Sequence, residues 1–283
     1  MLIPIFGALS LASGTILERF ILKKKSIQPK PYQTASFLAV VLLMLPLVGF
    51  FWRIDTLAYS FKNILIFLVV IVLALIANYL MYFSMKWEKI SNLEPAKMME
   101  PLFIVLIALV FSFFIDGGMY ARNFKLIIPA LIAGAALIFS HIRKHHLEFN
   151  KYFRAAIIGS FFFAMELVVS RLILNYYSPI TFYFLRCSGV FLLGLVFFRP
   201  NLSKIPKDSL KYIIITSAIW VAYRVLIYSG YTSLGIVETT LIVMLGPVFI
   251  YVFAWKFLKE KLDWRNIVAS IIIIASVLYG VLA

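Results

Sequence analysis

Trp220, Arg224, Tyr228 and Tyr231 recur at intervals of four, four and three, which puts all four on one face of a helix. A guanidinium between aromatic rings can hold an anionic group while the rings contact an apolar body. Asn78 and Tyr82 repeat the polar-then-aromatic pair of Arg224 and Tyr228 at the same spacing. A second group is Glu94, Lys97 and Glu100, spaced by three, so that Lys97 can pair with either carboxylate. Pro101 removes the donor that would bond the carbonyl of Lys97, and Pro247 does the same to Val243. Freed carbonyls beside a kink suit a gating or ligand-binding helix, or a kink serving packing alone.

Each of these charges, with Glu166 and Arg186, falls inside a long apolar run. A charge at mid-membrane costs about 2.5–3.5 kcal/mol, so each needs a partner or a wet cavity. Glu166 can be a counter-ion for Arg186 or Arg224, or a carboxylate that exchanges protons; the counter-ion role is favoured because an unpaired buried Arg is so costly. Arg186, on a helix of Phe, Leu, Val and Gly, reads as structural. No Ser/His/Asp or Cys/His constellation stands within the apolar runs, and no phosphate-cradling glycine loop occurs, so no catalytic residue is assigned and an enzyme is not expected. His141, His145 and His146 share a loop with Arg143 and Lys144 and read as a solvated basic face, leaving no metal site and no cofactor. The single Cys187 excludes an internal disulfide.

These residues need helices to carry them. The 283 residues are 63% hydrophobic and 14% charged. Average soluble domains lie near roughly 45–50% and roughly 25%, so a multi-pass membrane protein is expected. Ten spans can be drawn: 2–22, 33–52, 63–85, 91–115, 124–141, 153–175, 178–198, 209–231, 234–257 and 265–282. Lipid offers no partner to unpaired backbone groups, and the runs are continuous rather than alternating, so all are helices. The first run has no basic residues before it and no small-residue cleavage site behind it, and reads as a transmembrane helix rather than a leader. The net charge of +15 does not imply nucleic acid, because the Lys and Arg residues sit in short inter-helix loops facing lipid headgroups.

The chain repeats itself. A shift of 146 positions carries Leu80 onto Leu226, Tyr82 onto Tyr228, Pro101 onto Pro247 and Phe103 onto Phe249. Near the front the shift is 152, pairing Gly7 with Gly159 and Arg19 with Arg171. Near the back it is 143, pairing Arg122-Asn123 with Arg265-Asn266. Two units of five spans follow, residues 1–146 and 147–283, and an odd count inserts the second from the opposite side. The expected fold is therefore all-α: ten transmembrane helices in two inverted five-helix repeats around a central cavity, lined by spans 1, 3, 4, 6, 8 and 9. Loops after odd-numbered spans hold eighteen Lys and Arg residues against four after spans 2, 4, 6 and 8, which places the former in the cytoplasm and both termini outside.

With these features the chain resembles the ten-helix EamA-like proteins of the drug/metabolite transporter superfamily. The resemblance rests on the five-plus-five repeat and on Glu100-Pro101-Leu102-Phe103 with its copy Gly246-Pro247-Val248-Phe249. Phe257-Leu258-Lys259-Glu260-Lys261-Leu262 is similar to the family's Phe-Leu-x-Glu-x-Leu; the first copy, Phe114 to Gly118, has no matching Glu. The resemblance implies a basket of helices that moves small organic metabolites or xenobiotics without ATP, with both termini in the cytoplasm, against the charge count.

The expected function is secondary transport of such a solute, amino-acid-like where acid and base meet, across the cell membrane by alternating access. Its binding residues would be Asn78, Tyr82, Glu94, Lys97, Glu100, Glu166, Trp220, Arg224 and Tyr228, with Pro101 and Pro247 as gating positions. The partners would be the metabolite and the bilayer, with no nucleic acid, and the chain a monomer. The alternatives are a non-transporting lipid-binding or assembly protein, which would tie its charges into closed pairs, and a lipid scramblase, which needs a polar groove open to lipid.

Overall fold

A computed structural model describes residues 2–22, 27–88, 90–115, 120, 123–141, 150–258 and 264–282. These form α1 (Leu2–Leu22), α2 (Pro29–Phe51), α3 (Phe61–Trp87), α4 (Ile90–Lys97), α5 (Met99–Phe114) and α6 (Phe124–His141). They continue with α7 (Lys151–Ser170), α8 (Pro179–Phe198), α9 (Lys207–Ser233), α10 (Ile236–Val243), α11 (Leu245–Leu258) and α12 (Trp264–Leu282). No strand forms among the described residues. Six stretches are long and apolar enough to cross a membrane by length and composition: Pro29–Phe51, Phe61–Trp87, Pro95–Phe114, Lys151–Ser170, Pro179–Phe198 and Lys207–Ser233. Their outward faces are bare apolar surface, with Phe50, Phe61 and Phe114 each more than four-fifths exposed. A water-soluble fold does not sustain that much exposed apolar area, whereas a bilayer covers it.

Local chemistry sets the helix ends. Ser60, Asn150 and Ser178 cap α3, α7 and α8 by accepting backbone N–H bonds, at 3.4 Å, 2.9 Å and 3.1 Å. Pro29 and Pro179 stand in the first turns of α2 and α8, where no N–H is needed. Gly235, at φ 89°, makes the tight reversal between α9 and α10. The sixth expected span, 153–175, is cut shorter: α7 ends at Ser170, and Arg171, Leu172 and Ile173 bond back to Val168, Val169 and Ser170 in a tightening turn.

The fourth and ninth expected spans are each two helices meeting end to end. The first break falls at Met98 (φ −69°, ψ −8°) and the second at Met244 (φ −62°, ψ −10°). Each follows the residue whose carbonyl Pro101 or Pro247 deprives of a donor, so the proline kink is realised as a one-residue interruption with near-helical dihedrals.

Four helix pairs dominate the packing: α3 with α7, α1 with α9, α2 with α8, and α6 with α12. Two glycines allow the first two contacts. A Cβ on Gly159 would lie 3.3 Å from Leu80 Cβ and 3.4 Å from the Ala77 carbonyl; one on Gly7 would lie 3.2 Å from Ile227 Cδ1 and 3.8 Å from Leu226 Cβ. Gly7 and Gly159 are one of the pairs that the sequence register matches, and so are Leu80 and Leu226.

The connections after α2 and after α7 are clasped together. Ile54 and Tyr177 form an antiparallel bridge, with Asp55 N donating to Tyr176 O at 2.7 Å and Ser178 N to Arg53 O at 3.1 Å. The Ser178 hydroxyl donates to Phe51 O at 2.7 Å. Beneath the clasp, Phe67, Tyr177, Phe182 and Tyr228 stack with centroids 5.1–5.8 Å apart. This closes one end of the bundle with paired backbone and rings. At the other end α1 and α3 finish and α2 begins, where Lys86 Nζ donates to Leu22 O at 3.3 Å.

Candidate functional site

The helices enclose a cavity of about 410 Å3, within the range of roughly 300–1,000 Å3 typical of small-molecule sites. Five charged side chains reach its wall: Glu18 of α1, Lys97 of α4, Glu100 of α5, Arg186 of α8 and Arg224 of α9. The α4–α5 break brings Lys97 and Glu100 to it together with Pro101, and the α10–α11 break brings Val243, Met244 and Pro247. Proline kinks from both breaks thus face the same space.

Most of the residues singled out in the sequence converge here. Asn78, Tyr82, Lys97, Glu100, Trp220 and Arg224 all line the cavity. Asn78 spends one amide N–H on Ala74 O at 2.7 Å, which holds the side chain along its own helix. Glu166 and Tyr228 lie outside the lining: both are fully buried one layer behind it. Tyr228 was expected in the binding set because it shares the stripe of Arg224, and Glu166 as a counter-ion or proton-exchanging carboxylate, but the Tyr228 hydroxyl is engaged with Glu166. Glu94 sits on the backbone of α4, and its side chain lies outside the described residues, as do residues 116–119, 145–146 and 259–262.

Glu166 is the hub of the second half. Its Oε1 accepts from Arg186 Nε at 2.8 Å and from the Tyr228 hydroxyl at 3.1 Å, and its Oε2 stands 3.8 Å from Arg224 Nη1. The counter-ion reading therefore applies to both arginines at once, one by a tight bond and one by a longer ion pair. Arg186, read from the sequence as structural, is indeed anchored, yet it also reaches the cavity wall. Its Nη2 and Arg224 Nη1 are buried without a hydrogen-bond partner, as is Glu166 Oε2. The Arg224 guanidinium lies 5.6 Å from the centroids of both Phe163 and Tyr223, cation–π contacts that hold it in place while leaving its N–H groups unspent.

The lining is wider than the expected spans 1, 3, 4, 6, 8 and 9, since Leu137 of α6 and Asn266 of α12 also reach it. Helix α2 contributes Ser36, Phe37 and Val40, and α8 contributes Tyr183 and Arg186, because α2 packs on α8 across the bundle and both enter the wall. Glu18 was not singled out at all, although it is only 4% exposed and faces the cavity. It stands near the end of an apolar run, followed by Arg19 and Lys23 to Lys25, and so reads as headgroup-level charge. Two signals could have exposed it: Gly14 stands one turn before it, and the register pairing Arg19 with Arg171 sets Glu18 over Ser170, whose hydroxyl lies 3.4 Å from Glu166 Oε1.

No group of His, Cys, Asp and Glu able to hold a metal occurs among the described residues. A search of curated proteins finds no match. One solved crystal structure superposes with a TM-score of 0.70 at 14% identity, covering 98% of this chain and 95% of that one, which shows a shared fold. Residues 150–281 match the EamA-like transporter family. Together with several helices long and apolar enough to cross a bilayer, the match supports an integral membrane protein. That match covers just under half of the chain, and over those residues the chain is similar to the EamA-like transporters.

Proposed function

We propose that this chain is a secondary transporter of the cell membrane that carries a small, amino-acid-like organic metabolite by alternating access. In this reading ten spans form two inverted five-helix repeats, residues 1–146 and 147–283, acting as a monomer. The contacts support the inversion: Gly7 meets Leu226 while Gly159 meets Leu80, so repeat-related residues exchange partners across the α1–α9 and α7–α3 pairs. A two-fold relation has that consequence, and the matching breaks at Met98 and Met244 agree with it.

The observation that carries the function is one enclosed space holding charges of both signs. Glu18, Glu100 and Glu166 stand against Lys97, Arg186 and Arg224, in or directly behind the wall. A zwitterion can enter such a site without changing its net charge, while Asn78, Tyr82, Trp220 and Arg224 bind it, Lys97 and Glu100 neutralise it, and Glu166 and Tyr228 hold the arginines. Pro101 and Pro247 mark the gating breaks. The test is uptake by proteoliposomes from a metabolite library, with and without a pH gradient. At least one solute should accumulate above protein-free vesicles; none doing so would remove the transport reading in favour of a lipid-binding or scramblase role.

The clasp is then the closed gate of one face. Its two bonds flank Ile54 and Tyr177 in the pattern of a non-hydrogen-bonded antiparallel pair, with Cα atoms about 4.5 Å apart, inside the range for a disulfide. Ile54→Cys with Tyr177→Cys in a Cys187→Ser background should crosslink on oxidation. Uptake should fall to background and return with reductant; full uptake by the crosslinked protein would exclude opening at this face.

A further inference from the structure

The transport reading places an anionic group at Arg224 and leaves the other end of the solute unassigned. We propose that Glu18, boxed by Tyr32, Tyr82 and Trp220, is a subsite for a primary ammonium group, so that Glu18 and Arg224 hold the two ends of one small zwitterion. The inference rests on the transport reading and adds its amine pole.

The partners of Glu18 point this way. The Tyr32 hydroxyl donates to Oε1 at 3.4 Å, Tyr82 and Trp220 line the cavity together with Glu18, and the Trp220 indole N–H is buried without a partner. All three are neutral. Among the described residues Glu18 makes no ion pair, in contrast to Glu166, which has two arginines. A carboxylate out of bulk water with no ion pair in contact leaves much of its desolvation cost to be offset, Lys97 acting on it only from farther off. It faces the cavity.

The rings supply the rest of a cation site. Tyr32 and Tyr82 meet edge to face at 5.1 Å, and Trp220 meets Tyr223 in the same way at 5.4 Å. Ring faces attract an ammonium group, most strongly where it is desolvated. Gly14 makes the box possible: a Cβ there would lie 3.4 Å from the Trp220 ring and 3.2 Å from Ile219 Cγ2, so α1 leaves the indole room one turn from Glu18. Trp220 and Arg224 are one turn apart on α9, about 6 Å along the axis, which suits the two charges of a single small molecule. Lys97 also acts on Glu18, but it acts on Glu100 as well, and Glu100 offsets the positive charge that an amine brings.

The test uses three matched probes on the purified full-length chain: phenylalanine, phenethylamine with the amine alone, and 3-phenylpropionate with the carboxylate alone. Binding is read by calorimetry in detergent. Glu18→Gln should weaken phenylalanine and phenethylamine by about ten- to a hundredfold, the worth of a hydrogen bond to a charged group. It should leave 3-phenylpropionate unchanged, which also reports an intact fold, and Glu18→Asp should restore part of the loss. Unchanged amine binding in Glu18→Gln, or an equal loss for all three probes, overturns the subsite and leaves the transport reading standing. No binding of any probe to the unaltered protein overturns the zwitterion reading and the subsite together.

Discussion

Glu166→Ala should be the most destabilising single substitution in the second half of the chain. Glu166 is fully buried, and one carboxylate serves Arg186 at 2.8 Å, Tyr228 at 3.1 Å and Arg224 at 3.8 Å. Removing it leaves two guanidinium groups packed together without a counter-charge. Breaking a buried pair from one side costs about 3–5 kcal/mol, and a shift in melting temperature of roughly 5–15 °C follows from that loss. Thermal unfolding in detergent measures it. Glu166→Gln, which keeps an acceptor but not the charge, should fall between. The double variant Glu166→Ala, Arg186→Leu should regain stability relative to Glu166→Ala alone, because it removes the orphaned charge along with its partner. A melting temperature unchanged in Glu166→Ala would mean that the arginines draw their stability from elsewhere.

Arg224→Ala should have the opposite profile, a folded protein that does not transport. Arg224 is farther from Glu166 than a hydrogen bond allows, so its structural load is lighter than that of Arg186. Its guanidinium, held between Phe163 and Tyr223, lines the cavity with only a long contact to Glu166 behind it. Truncating one member of a desolvated charge pair costs about 2–5 kcal/mol of binding. Uptake of any solute found in the library screen should therefore fall by about a hundredfold, with the elution profile in detergent preserved. Arg224→Lys should keep part of the activity, since it retains the charge but loses the planar fork. Full uptake in Arg224→Ala would remove this residue from the site.

Much of this arrangement was legible in the residues before any coordinates. Helix-length apolar runs are forced by lipid, so their positions follow from composition. The stripe through Trp220 and Arg224 was visible because the helical period brings residues four apart to one face. The breaks could be placed because a proline disables a known carbonyl, that of Lys97 or of Val243. Depth within the wall was not legible. Tyr228 shares the stripe of Arg224, yet it turns to Glu166 while Arg224 meets the cavity, and a stripe is broad enough to hold both outcomes. The entry of α2 and α8 depends on how the two halves dock, which no single span encodes. Glu18 escaped notice because proximity to a basic loop mimics a headgroup position, whereas the packing of Gly14 against Trp220 draws it inward.

Alternating access requires a wet space between two halves that each side of the membrane reaches in turn. Thr15 lines that space and carries no charge, so Thr15→Cys in a Cys187→Ser background reports access with little disturbance. The decisive measurement is the rate at which a membrane-impermeant maleimide labels this cysteine from each face, in right-side-out and inverted vesicles. Labelling from both faces, with the clasp-side rate abolished when positions 54 and 177 are crosslinked, is the predicted result. Labelling from neither face, or from one face alone with and without saturating solute, would contradict it.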